Sequence, residues 1–164
     1  MAPRLNAGRT GCSMTSAQLV LVGAAGWQHP AWHGSFYPDD LPQDWLLSYY
    51  NTRFQAVYLP AAVWQAASEA TWGQWLFDTQ DGFYFVLEAG ATASIPAASE
   101  RILLATPGWQ ADHIWWLDEA PDLRALAQRI SRQALSGEPL FVFSRSGDLG
   151  LLEQAATLKQ VMGY

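Results

Sequence analysis

The sequence contains a single cysteine, Cys12, and a single lysine, Lys159. One thiol can form neither an internal disulfide nor a cysteine-based zinc cluster, so we expect a reducing compartment, the cytoplasm. Nine basic residues against 15 acidic ones give a formal net charge of -6, which leaves no basic face for binding nucleic acid. No apolar run reaches the length of about 18 residues that spans a membrane. The composition therefore predicts neither a nucleic-acid partner nor a membrane partner.

Aromatic residues are abundant, with nine tryptophans, seven phenylalanines and six tyrosines in 164 residues. Large rings either fill a small core or line a surface that binds a ligand or another protein. Both interpretations stay open at the level of the sequence. The aromatic residues that we consider candidates for a ligand site or an interface are Trp27, Trp32, Tyr37, Tyr58, Trp64 and Trp115.

Residues 1–16 combine Gly, Pro, Asn, Ser and Thr with no apolar period, which predicts a flexible N-terminal arm. Because this arm carries no part of the predicted fold, the native start is either Met1 or Met14. Residues 17–164 contain no repeat, linker or low-complexity tract. We therefore predict one domain over 17–164, a length sufficient for a hydrophobic core.

Within this domain, short apolar runs alternate with segments of helical periodicity. Such alternation predicts parallel strands joined by right-handed helical crossovers. The predicted strands are Gln18–Val22, Phe54–Leu59, Phe83–Leu87, His113–Leu117 and Leu140–Phe143, while Arg101–Ala105 is either a strand or a helical turn. The predicted helices are Pro42–Asn51, Val63–Phe77, Pro121–Leu135 and Leu149–Met162, with Gly137 ending the third; Ala89–Ser99 is predicted to be a loop and Thr106–Asp112 a turn.

The N-terminal third carries a pattern of Gly, Trp and Tyr residues whose order and spacing are specific. A strand is followed by a Gly-Trp pair, a second Trp, Gly-x-Phe-Tyr-Pro, a helix and a strand. In this pattern the sequence resembles the YecE-like family, domain of unknown function 72. The matching residues are Gly23, Gly26, Trp27, Trp32, Gly34, Phe36, Tyr37, Pro38, Leu41, Tyr50, Phe54 and Val57, and a weaker similarity covers the last helix, last strand and closing helix.

The resemblance implies a TIM-type barrel, but the domain is shorter than the roughly 250 residues that such a barrel takes. Because both ends match the family, we place the contraction in the middle, within Ala89–Asp112. We therefore predict an α/β fold, a contracted or incomplete TIM-barrel-like domain. It should have five or six mainly parallel strands and about four helices.

The sequence departs from the family where polar groups are expected at strand ends. The family carries acidic, amide and hydroxyl groups where this sequence has Val57–Pro60 and Ala62–Trp64. It carries a lysine on the strand that aligns with Phe85–Glu88, and an Arg-x-His segment where this sequence has Trp115–Leu117. Active sites of such barrels form at the C-terminal strand ends. These departures favour a non-catalytic binding or interaction protein.

The alternative is a residual hydrolase or isomerase that acts on a sugar-like molecule. Its acid and base groups would be Glu88, Asp118 or Glu119, which follow predicted strands. Two carboxylates that converge on one cleft would favour this alternative. Carboxylates dispersed over the surface would favour the binding protein.

No cofactor or metal is predicted. His29 and His33 are four residues apart, but Pro30 and Gly34 argue against a helix that would align them, so we expect exposed loop histidines. Nucleotide-binding glycine motifs are missing as well.

The expected partner is another protein. A sheet with fewer strands than a closed barrel either leaves two edges open or closes around a narrower interior. Aromatic residues on nearly every strand are too large for all to point inward. We therefore expect a homodimer or a distinct protein partner, with a small-molecule ligand as a further alternative.

Overall fold

The computed structural model describes residues 19–90 and 99–164. The N-terminal arm predicted at 1–16 and most of the predicted loop at 89–99 lie outside these ranges, so their predictions remain open. No helix of the described residues is both long and apolar enough to cross a membrane.

Six parallel strands form one sheet that curls into a half-barrel. The strands are β1 (Val20–Ala25), β2 (Ala56–Leu59), β3 (Tyr84–Glu88), β4 (Ile102–Ala105), β5 (Ile114–Trp116) and β6 (Leu140–Ser144). Their order across the sheet is β4-β3-β2-β1-β6-β5. This arrangement confirms the predicted α/β fold with an incomplete barrel.

The strands that come first and last in the sequence, β1 and β6, are neighbours in the sheet, as they are in a closed barrel. Leu21 pairs with Phe141 between β1 and β6, and Ala24 pairs with Val57 between β1 and β2. The barrel is open between β4 and β5, which among the described residues pair only with β3 and β6 respectively. Both edge strands are short, which limits pairing with other chains through exposed backbone groups.

Six α-helices lie between the strands or after the last one within the described residues. They are α1 (Leu46–Tyr50), α2 (Ala61–Ala66), α3 (Glu69–Asp78), α4 (Pro107–His113), α5 (Leu123–Ser136) and α6 (Leu149–Met162). Short 3-10 turns at Pro30–Trp32 and Gln43–Trp45 precede α1. Asp122 caps the N-terminus of α5, and Gly137 ends it at φ 75°, as predicted.

Two helical segments differ from the predictions. The helix predicted over Val63–Phe77 is broken, because the Ser68 side chain accepts a hydrogen bond from the Thr71 backbone and begins a new helix. The turn predicted at Thr106–Asp112 is the helix α4, with Thr106 as its N-cap and Pro107 in its first turn. Residue His113, predicted to begin a strand, ends this helix instead.

The sheet separates two hydrophobic cores. The outer core lies between the convex face and the surrounding helices, and it contains most of the buried aromatic residues. The inner core lies on the concave face, where it is formed by Leu21, Ala56, Tyr58, Val86, Ala105, Ile114, Phe141 and Phe143. Helix α4 packs Trp109 against the inner core, with 5.6 Å between the ring centroids of Trp109 and Phe141.

Candidate functional site

All six strands are parallel, so their C-terminal ends lie at one edge of the half-barrel. We call this edge the mouth; it is formed by the residues that end or directly follow the strands. Ligands of open parallel sheets and of TIM barrels bind at this edge. The polar residues collected there are therefore the first candidates for function.

Asp118 follows β5 and binds the loop between β6 and α6. Its carboxylate accepts hydrogen bonds from the hydroxyls of Ser144 (3.0 Å) and Ser146 (2.6 Å) and from the backbone N–H groups of Arg145 and Ser146. Burial alone would raise the pKa of Asp118, but these hydrogen bonds outweigh it and hold the pKa below its ordinary value. The carboxylate thus fixes the conformation of this loop.

Arg145, in the same loop, lies over aromatic rings of the inner core. Its guanidinium carbon is 3.9 Å from the Trp116 ring centroid and 5.9 Å from that of Tyr58. Burial and the charge of Glu88 raise the pKa of the Tyr58 hydroxyl, while Arg145 opposes that rise. This cation and the two rings close the inner core at the mouth.

Glu88, the last residue of β3, connects that strand to α2. Its Oε1 atom accepts a hydrogen bond of 2.9 Å from the backbone N–H of Ala61, and its carbonyl accepts one of 2.9 Å from Trp64 Nε1. A carboxylate at a helix N-terminus is electrostatically favourable. Glu119 is exposed and lies beyond β5, which three strands separate from β3 in the sheet.

His29 lies between the mouth and the outer core, with its ring centroid 4.5 Å from that of Trp32. Burial lowers its pKa, and this effect exceeds the opposite influence of the carbonyls of Ala25 and Gly26 and the charge of Asp118. The imidazole is therefore neutral near pH 7. Its Nε2 atom is buried and has no hydrogen-bond partner. Among the described residues, no other buried side-chain nitrogen or oxygen lacks a partner.

The His29 imidazole borders a pocket of about 260 Å³ beside the ends of β1 and β2. We call it the His29 pocket. Its other walls are mainly apolar and include Trp27, Leu59, Val63 and Trp75. The rings of Trp27 and Trp75 meet edge to face, with 5.1 Å between their centroids. The pocket thus combines aromatic walls with one unsatisfied polar side chain.

A family model described as a protein of unknown function, DUF72, matches residues 21–101. Over this segment, just under half of the chain, the sequence is similar to the DUF72 family. The matched segment covers β1 from its second residue, all of β2 and β3, and ends one residue before β4. No curated protein and no solved structure matches the chain significantly. The match confirms the resemblance to the YecE-like family and assigns no activity, because the family's function is itself unknown.

The aromatic candidates inside the DUF72 segment are buried. Their exposed fractions are 6% for Trp27, 1% for Trp32, 0% for Tyr37, 2% for Tyr58 and 1% for Trp64. Among these candidates, Trp27 lines the His29 pocket. Their part in a ligand site or an interface therefore stays a prediction.

Trp115 lies outside the DUF72 segment and is half-buried, and its Nε1 donates a 3.0 Å hydrogen bond to the carbonyl of Ala120. This bond ties β5 to the turn that follows it. Its role in an interface also stays a prediction. Within the described residues, no group of three potential metal ligands occurs.

Two features of the mouth were not anticipated from the sequence. His29 was expected to be exposed, but it is half-buried because Gly147 leaves room for the ring. A Cβ atom added at Gly147 would lie 2.7 Å from His29 Nδ1. Arg145 was not singled out, and no local pattern marks it, since its aromatic neighbours come from other strands. His33 is exposed, as expected.

Proposed function

We propose that the protein is a non-catalytic binding protein that takes a small molecule, a single ring with one polar group, in the His29 pocket. The observation that carries this proposal is the buried Nε2 atom of His29, which has no hydrogen-bond partner. A buried polar group without a partner costs about 1–3 kcal/mol. A ligand that supplies the partner recovers this free energy.

The chemistry of the pocket defines the ligand class. A cavity of about 150 Å³ holds benzene, so the 260 Å³ of the His29 pocket suit one substituted ring. A neutral imidazole nitrogen either donates or accepts one hydrogen bond, and a hydroxyl group can serve both cases. Because Nε2 is buried, this proposal requires the imidazole to turn on binding so that Nε2 meets the hydroxyl while the ligand ring packs against Trp27 and Trp75.

The hydrogen bonds that the Glu88 and Asp118 carboxylates already accept favour a binding protein over an enzyme. Glu88 accepts a hydrogen bond from a backbone N–H of α2, and Asp118 accepts four from the loop after β6. A residual hydrolase or isomerase that uses Glu88, Asp118 or Glu119 needs a carboxylate that exchanges a proton with substrate. Fixed structural contacts make Glu88 and Asp118 poor choices for that role.

Titration with p-cresol and toluene, followed by tryptophan fluorescence and ligand-observed NMR, tests the proposal. We expect p-cresol to bind about two- to tenfold more tightly than toluene, because one hydrogen bond contributes a net binding free energy of that order. His29→Phe keeps an aromatic ring and should remove this preference. His33→Phe, a change at an exposed histidine, should retain it. Equal affinity of the unmodified protein for both compounds would contradict the proposal.

The enzymatic alternative is tested with p-nitrophenyl glycosides as substrates. Hydrolysis that is lost in Glu88→Gln or Asp118→Asn but survives in His29→Phe would favour a glycoside-directed hydrolase. Absence of turnover together with the p-cresol preference would favour the binding protein.

We also propose association with a second protein chain, either a homodimer or a distinct partner. Support comes from Trp45 and Phe77, large apolar side chains that are 62% and 74% exposed. Light scattering tests this proposal. A doubled mass supports the homodimer, and aggregation relieved by a co-expressed protein supports the distinct partner. A stable particle of 18.1 kDa contradicts both.

A further inference from the structure

The inner core is incompletely filled at the end of the half-barrel opposite the mouth. A cavity of about 440 Å³ lies there, bordered by the first residues of several strands and by α4. Its apolar walls include Leu21, Tyr84, Leu103, Trp109 and Phe141. The interior of a complete barrel is filled by layers of side chains from all of its strands. The space left beside β4 and α4 is therefore a consequence of the open barrel.

The rim of this inner cavity is acidic. Asp81 precedes β3 and Glu100 precedes β4, and no lysine or arginine of the described residues lines the cavity. Within the described ranges neither carboxylate lies within ion-pair distance of a basic side chain; the contact of that kind joins Glu138 to His113, which also lines the cavity. Arg101, beside Glu100, instead donates hydrogen bonds to oxygens of other residues.

Trp109 is contacted by His113, which also lines the cavity. His113 Nδ1 lies 2.9 Å from the Trp109 carbonyl, and its Nε2 lies 2.7 Å from Glu138 Oε1. The rings of His113 and Trp109 are stacked, with 4.6 Å between their centroids. The indole therefore presents a fixed surface to the cavity before any ligand arrives.

We propose that the inner cavity binds an organic cation, an aromatic or alkyl group that ends in an ammonium group. The apolar part packs against the wall formed by Trp109, Tyr84 and Phe141, and the ammonium group stays at the rim with Asp81 and Glu100. Aromatic faces and unpaired carboxylates both attract such a cation. The volume lies in the range of small-molecule sites, about 300–1,000 Å³. The cavity shares no lining residue with the His29 pocket.

Three compounds of equal length test this inference: 4-phenylbutylamine, 4-phenylbutan-1-ol and 4-phenylbutanoate. We expect the amine to bind most tightly and the carboxylate most weakly, in calorimetry and in the NMR shift of the Trp109 indole N–H. The double variant Asp81→Asn/Glu100→Gln should weaken the amine about three- to tenfold, as two partly exposed ion pairs allow, and leave the alcohol unchanged.

Matched controls distinguish the effect of charge at the rim of the cavity from the effect of the protein's net charge. Asp40→Asn/Glu153→Gln removes two exposed carboxylates that do not line the cavity, and it should leave amine binding unchanged. Leu103→Trp fills the cavity and should weaken all three compounds. The His29→Phe variant should keep its amine affinity, so this inference and the proposal for the His29 pocket fail separately.

Three results would overturn the inference. The first is equal affinity for the amine and the alcohol, and the second is an amine affinity that the Asp81→Asn/Glu100→Gln variant retains. The third is tighter amine binding after Arg4→Gln/Arg9→Gln. That result would assign the cavity to the basic N-terminal segment of the chain itself.

Discussion

The two faces of the sheet are packed to different extents. On the convex face, the polar atoms of buried rings bond to backbone: Trp32 Nε1 donates to the Gly147 carbonyl at 2.8 Å and the Tyr37 hydroxyl to the Trp27 carbonyl at 2.5 Å. On the concave face, a cavity of about 440 Å³ remains, and α4 provides the helical cover.

This difference follows from how each face is assembled. Packing on the convex face needs covering helices and no closed barrel: α6, for example, packs on β6, which precedes it, and on β1 at the other end of the chain. Packing on the concave face depends on side chains that meet across the barrel and needs a full set of strands. A sheet of six strands therefore keeps a dense outer core and loses part of its inner core.

The largest expected effect is that of removing Trp32 from the outer core. Its side chain is 1% exposed and stacks on Tyr50, with 5.9 Å between centroids. We expect Trp32→Ala to lower the free energy of unfolding by about 3–5 kcal/mol, as for other buried aromatic residues. Urea denaturation measures this. Trp109→Ala changes a half-buried side chain of the inner core and should lower the free energy of unfolding by less than half as much. Equal losses in the two variants would contradict the difference in packing between the two faces.

The Tyr50 hydroxyl bridges β1 and β2 and should have the next largest effect. It donates to the Ala56 carbonyl at 2.7 Å and accepts from the Ala24 N–H at 2.8 Å. Tyr50→Phe leaves both buried groups without this partner, so we expect a loss of about 1–3 kcal/mol. Tyr49→Phe, at a half-buried neighbour, is the control. A loss no greater than in the control would show that the hydroxyl bridge is dispensable.

Long helices whose ends carry capping residues could be predicted from the sequence. Helix α6 spans Leu149–Met162 as expected, because Asp148 caps its first turn and Gly163 ends it at φ 86°. Helix α4 was missed, although Thr106 and Pro107 mark its start. Its seven residues are too few to show a helical period.

The candidate sites could be predicted only in part. Trp27 was a candidate and lines the His29 pocket, but the half-buried position of His29 depends on Gly147, which is far away in the chain. The Asp118 carboxylate looked free in the sequence because its serine partners follow a different strand. Contacts between strand ends arise from sheet order, which no local pattern encodes.

Asp118 should make the stability of the mouth depend on pH. Its pKa lies below the ordinary value of 3.8 in the folded state, so its stabilising contribution is complete above that value. The contribution is lost as the pH falls through the folded pKa. Asp118→Asn should lower the melting temperature at pH 7 and reduce the loss of stability on acidification. Equal acid sensitivity of the variant and the unmodified protein would exclude this role. Asp40→Asn, at an exposed aspartate, is the control.

The smallest expected effect is at Arg145, where the inner core meets solvent. An exposed cation over an aromatic face contributes about 0.5–1 kcal/mol, so Arg145→Gln should lower the free energy of unfolding by about that amount. The same change removes the positive charge beside Tyr58 and should move the Tyr58 titration to higher pH, since Arg145 opposes the rise in its pKa. Ultraviolet absorbance of tyrosinate measures this shift, with Arg124→Gln as the control. Arg145→Lys retains the charge and should retain most of the pKa effect while losing part of the stacking on Trp116. If Arg145→Gln does not move the Tyr58 titration, Arg145 does not close the inner core at the mouth.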